Sequence, residues 1–152
     1  MTLQDIANTP EVQAAIAWWA SKINSGEFDN GDAFCNAFFQ LLKVENKTSA
    51  DQRAEFADVL RGVIATLELH DPRWAYFAGG RDLERRWTEF GITLGCDYHP
   101  DAILSRACEA AGIGTEIGVF PAKTTMRVKP GLVEVSCGYG APYVTIYPAG
   151  EP

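Results

Sequence analysis

Over the first two thirds of the chain apolar residues recur every three or four positions, and from residue 121 onward they alternate with polar ones. The first period belongs to helices with one buried face, the second to half-buried strands. In "NTPEVQAAIAWWASKI", Val12, Ile16, Trp19 and Ile23 form one stripe. Thr9 can cap this helix, Pro10 suits its first position and Glu11 favours its positive end. Trp18 lies off the stripe, where it either widens the buried face or stands exposed as an interface anchor. A second helix is predicted over about 31–44. A third opens at "TSADQRAEF", where Ser49 and Gln52 form a capping box ahead of Phe56, Leu60, Val63 and Leu67. Its other side carries Asp51, Glu55, Asp58 and Glu68, with Arg53 and Arg61 interspersed, and reads as a solvated acidic face.

"LHDPRWAYFAGG" offers a helix start at Asp71-Pro72 and a stop at Gly79-Gly80. "RDLERRWTEFGITLG" carries both periods, which predicts a short helix running into an extended segment. In "HPDAILSRACEAAGIG", Pro100 opens a helix whose apolar face is Ile103, Leu104, Ala107 and Ala111, and Gly112 closes it in the left-handed conformation. "KTTMRV", "LVEVSCGY" and "YVTIYP", separated by "KPG" and "GAP", have the composition of a three-stranded antiparallel meander. Val133, Val135, Cys137 and Tyr139 would share one face with Val144 and Ile146 across from them, and helices must cover it. The expectation is an α+β fold, four to five mostly N-terminal helices (about 1–112) packed on a small C-terminal meander (about 121–148), in one globular domain of 152 residues.

Composition supports a packed core, with 47% apolar residues including 8 Phe, 4 Trp and 5 Tyr. No apolar run approaches the roughly 20 residues that a membrane span needs. "MTLQDIANTP" has neither a basic nor an apolar leader region, so the expected location is the cytoplasm, with Cys35, Cys96, Cys108 and Cys137 reduced and mostly buried. The net charge is −7. Residues 1–75 hold 11 acids against 6 bases, and residues 76–152 hold 9 against 7, so the excess lies in the helical half. Direct nucleic-acid binding calls for a basic face that the chain does not display, whereas an acidic face suits solubility or docking onto a basic protein surface.

Cys35 follows Asp32 at the predicted start of the second helix, where the dipole can lower a thiol pKa. A cysteine enzyme also needs a base, and the chain has only His70 and His99. Phe34, Phe38 and Phe39 surround Cys35 in sequence and describe a core position instead. In "GCDYHPD", Cys96 and His99 have a spacing compatible with zinc, but no second pair completes a site, and no metal is expected. The glycines of "AGG", "GIG" and "GYGAP" fit no phosphate-binding pattern, so no cofactor is expected either. Arg81, Arg85 and Arg86 in "RDLERR" could clamp a phosphate, although Asp82 and Glu84 beside them favour internal ion pairs. Tyr143 and Tyr147 are expected to point outward together beside an edge strand that permits self-pairing into a homodimer.

These features describe a small acidic non-enzymatic intracellular protein that binds and inhibits another macromolecule, as phage or mobile-element anti-defence proteins such as anti-CRISPRs, or toxin-immunity proteins, do. The expected partner is a host or rival protein with a basic surface, or a nucleoprotein complex, with no membrane contact. The expected binding residues are Trp18, Asp51, Glu55, Asp58, Tyr143 and Tyr147. The alternative is a small cysteine-dependent hydrolase or transferase using Cys35 with His70 or His99.

Overall fold

The computed structural model of the protein describes residues 1–25, 48–75, 81–138 and 140–148. Its helices are α1 (Leu3–Ala7), α2 (Pro10–Lys22), α3 (Ala50–Ala65), α4 (Leu67–His70), α5 (Pro72–Ala75), α6 (Arg81–Glu89) and α7 (Ala102–Ala110). Its strands are β1 (Ile92–Cys96), β2 (Thr124–Lys129), β3 (Leu132–Cys137) and β4 (Val144–Tyr147). The fold is α+β, and the strands form one antiparallel sheet in the order β1-β2-β3-β4. The sheet therefore has four strands where the chain's alternation predicted three. The additional strand is the extended segment after α6, where Ile92, Leu94 and Cys96 pair with Val128, Met126 and Thr124. Its pairing spans all of α7, so local alternation alone does not reveal its place. The predicted second helix over 31–44, Cys35, Gly79-Gly80 and Tyr139 lie outside the described residues.

The caps anticipated from the sequence form. Thr9 accepts from the Val12 amide, and Ser49 and Gln52 bond reciprocally as a capping box. Gly112 follows α7 at φ +70°. Two helix ends differ from the sequence reading. The third helix stops at Ala65 rather than carrying Leu67, since the Thr66 amide turns to Val63 O and Leu67 begins α4. α7 is opened by Asp101, whose carboxylate accepts from Leu104 N at 2.8 Å, and Pro100 stands just before it, bridged to Cys96.

One face of the sheet meets the helices. α2 lies against β2, β3 and β4, α7 against β1, and α3 packs on α1, α2 and α7. Val12, Ile16, Trp19 and Ile23 of the predicted stripe are all buried, as are Phe56, Leu60, Val63 and Leu67. Trp19 joins the layers: its ring meets Phe120 edge-on at 5.1 Å, Phe120 leans on Phe56 at 5.7 Å, and the indole N–H donates to Met126 Sδ at 3.2 Å. Arg53 ties α3 to α2 by donating to the Ala20 and Ile23 carbonyls, each at 2.7 Å. Carbonyls at a helix end lack intrahelical partners, so this guanidinium acts as a C-terminal cap from a neighbouring helix. Among the described residues no helix is long and apolar enough to cross a membrane.

Candidate functional site: an acidic helix face and a groove on the open sheet face

Two exposed surfaces carry chemistry. On the helical side, Asp51, Glu55 and Asp58 follow one another at spacings of four and three along α3 and are all exposed. Such spacings place side chains on one face. Ala54 and Gly62 are exposed beside them and add almost no bulk, so the carboxylates stand on a smooth surface. Arg61 at its end donates to Asn8 Oδ1 at 3.1 Å. Glu68, read from the sequence as part of this face, is half-buried on α4.

The other surface is the face of the sheet turned away from the helices. Thr93, Gly95, Thr125 and Ser136 point there, with Arg127 opposite Glu134 farther along. These small residues leave a hollow of about 810 Å³, rimmed by Arg73, Asp97, His99, Lys123 and Tyr143. Part of the lining is fixed by internal bonds. Asp101 accepts from Gly95 N and Leu104 N, Thr124 Oγ1 donates to Pro121 O at 2.8 Å, and Ser136 Oγ donates to Ala141 O at 2.9 Å. Burial pushes the Asp101 carboxyl above its ordinary pKa, against the pull of the backbone amides that hold it.

At the rim, Arg73 is held by Asp71, to which Nε donates at 3.2 Å and Nη2 at 3.0 Å. The hydrogen bond from Arg73 holds the Asp71 carboxyl below the usual range and raises the guanidinium in turn. His99 Nδ1 lies 3.1 Å from Thr115 O. A carbonyl only accepts, so in this bond Nδ1–H donates. Lys123 has φ +58°, and its backbone is pinned on both sides, N to Asp97 O at 2.7 Å and O from Gly138 N at 2.8 Å.

The two tyrosines do not point outward together. A register shift between Val133 and Glu134 leaves Ile146 as an additional residue in β4, so Tyr147 stands opposite Val133 and packs against the core. Tyr143 remains on the open face, with the Arg127 guanidinium 4.1 Å from its ring centre. Val144 at the sheet edge is 60% exposed instead of contributing to the covered face. Trp18 is half-buried, edge-on to Trp19 at 5.0 Å, with Lys22 over its ring. In the arginine cluster Arg85 pairs with Glu89 at 3.1 Å, and Arg86 lies over the Trp74 and Phe90 rings.

Cys96 and Cys108 are buried free thiols, each pushed up to about 12 primarily by desolvation, with Asp101 adding for both. Neither supplies thiolate near neutral pH. His70 closes α4, and its Nδ1 is enclosed without a hydrogen-bond partner among the described residues. Among the described residues no group of three His, Cys, Asp or Glu side chains is placed to hold a metal ion.

Sequence reasoning did not find the groove. Its one legible signal was Gly95, a glycine inside an alternating strand, which marks a place where side-chain volume is missing. Comparison of the chain with protein-family models and with curated proteins finds no match.

Proposed function

We propose that the protein is a non-enzymatic intracellular binding protein that inhibits another macromolecule by covering part of its surface, in the manner of phage or mobile-element anti-defence proteins and toxin-immunity proteins. The observation that carries this reading is the acidic stripe of Asp51, Glu55 and Asp58, all exposed on α3, the helix that packs on α1, α2 and α7. Three carboxylates on a rigid helix with little surrounding bulk suit a flat basic protein surface, and they favour rapid, salt-sensitive association. The docking surface is assigned to α3 rather than to the tyrosines, because Tyr147 packs against the core and Trp18 is half covered. The cysteine-enzyme alternative rests on Cys35, which lies outside the described residues.

The test is capture of partners from bacterial lysate by the wild type and by an Asp51→Lys/Glu55→Lys/Asp58→Lys variant. These exposed positions should change stability by only about 0.5 kcal/mol each. The variant should therefore fold normally, with an unchanged circular dichroism spectrum, and lose a stoichiometric partner that the wild type retains at low salt and releases as salt rises. An unchanged partner set in the charge-reversed variant would refute docking through α3.

A further inference from the structure

We propose that β4 is the seam of a homodimer: the outer edges of β4 from two copies of this chain pair antiparallel about a two-fold axis perpendicular to the sheet and join their four-stranded sheets into one.

The two edges of the sheet are finished differently. Beyond β1 the chain closes its own edge: Pro100 bridges back to Cys96, Asp101 N donates to Gly95 O at 2.9 Å, and the Asp101 carboxylate accepts from Gly95 N at 2.8 Å. Beyond β4 nothing corresponds. Among the described residues no hydrogen bond leads from Val144, Thr145, Ile146 or Tyr147 to anything except β3. A strand edge carries a row of backbone donors and acceptors suited to another strand, and folds usually blunt it with lysine, proline or a covering segment. β4 has neither a charged residue nor a proline within Val144–Tyr147. Its register shift at Ile146 bends the strand without covering the edge.

The side chains choose the occupant. Val144 pairs with buried Val135 and Tyr147 with buried Val133, so both stand on the side of the sheet that the helices cover. Val144, with no strand beyond it, is 60% exposed. In an antiparallel pairing centred between Thr145 and Ile146, Val144 of each copy falls opposite Tyr147 of the other, on that same side. Val144 thereby gains an apolar neighbour, and the covered face continues from one copy into the next. α2 packs on β4, so its two copies approach beside the seam.

Charge permits the contact. The chain carries −7, with the excess in residues 1–75, whereas β4 is neutral and Glu134 of the adjacent strand already pairs with Arg127 at 3.5 Å. The two strands therefore meet without opposed like charges. Four residues per copy make a short seam, so the dimer is a weak one in exchange with the monomer.

The test is sedimentation of the full chain from low micromolar to sub-millimolar concentration, with amide hydrogen exchange measured at both ends of that range. The average mass should rise from that of one chain toward twice that value, and amides within Val144–Tyr147 should exchange several-fold more slowly at the high concentration. Val144→Lys sets an ammonium against the second copy's Tyr147 and should stay monomeric throughout. At so exposed a position it should melt close to the wild-type temperature when both are dilute.

A wild type that remains monomeric at every concentration overturns the proposal. So does a dimer that Val144→Lys leaves intact, or one that forms without slowing exchange in β4, since either places the seam elsewhere. Should Val144→Lys misfold, the exchange of the wild type decides alone. The charge-reversed α3 variant should still dimerise, so failure of docking through α3 and failure of this seam are read separately.

Discussion

Cys96 is 2% exposed and Cys108 is fully enclosed, and burial pushes both thiols up to about 12. Both should resist iodoacetamide near pH 8 in the folded protein and react once urea unfolds it, as peptide mass spectrometry would read. The same shift sets a pH dependence. A free thiol in the unfolded chain titrates near 8.5, so the native state keeps its protons longer. The stabilising contribution is complete below that value and is lost as pH rises toward the folded pKa. Urea midpoints should fall above about pH 9 more steeply for wild type than for Cys96→Ala/Cys108→Ala, which cancels the contribution of these two groups while leaving lysines and tyrosines in place. That these cysteines are buried was legible from the apolar pattern around them. Lys123 was not legible, because its left-handed backbone is imposed by Asp97 O and Gly138 N, groups brought beside it by the fold.

Helix starts are local events, so Thr9 and the Ser49/Gln52 box could be read directly from the chain. The role of Arg53 could not: on the sequence it belongs to the charged side of its helix, yet it caps the carbonyl end of α2. Arg53→Met keeps much of the aliphatic stem but leaves the Ala20 and Ile23 carbonyls without these donors. It should cost about 1–3 kcal/mol in urea unfolding. Lys, with one ammonium in place of a fork, should recover only part of the loss. β1 illustrates the same boundary between local and non-local information. The alternation of Ile92, Leu94 and Cys96 identifies an extended segment, but its pairing with β2 depends on how α7 folds back between them.

At the scale of the whole molecule, Phe120 belongs to no helix or strand and yet bridges α2 and α3 through Trp19 and Phe56, and Trp19 in turn reaches Met126 of the sheet. Phe120 is fully buried. Phe120→Ala should cost about 3–5 kcal/mol. Because one continuous core links helices and sheet, the far-ultraviolet dichroism and the tryptophan fluorescence should shift together to a lower urea midpoint. Separate transitions for the two probes would show that helices and sheet do not unfold as one unit.

The chain by itself determined the α+β class, the helix caps, the buried stripes of α2 and α3 and the exposed acids on α3, because each follows from residue spacing and from hydrogen bonds within a few positions. The tertiary structure decided the fourth strand, the separation of Tyr143 from Tyr147 and the hollow between Arg73 and Lys123. A single register shift between β3 and β4 sends Tyr147 to the covered face, since side chains alternate along a strand and one additional residue reverses their direction. The groove joins residues as far apart in sequence as Arg73 and Tyr143, and it depends on the small residues of adjacent strands falling side by side. Periodicity describes which face of an element is apolar, whereas strand register and chain crossings determine which polar groups meet.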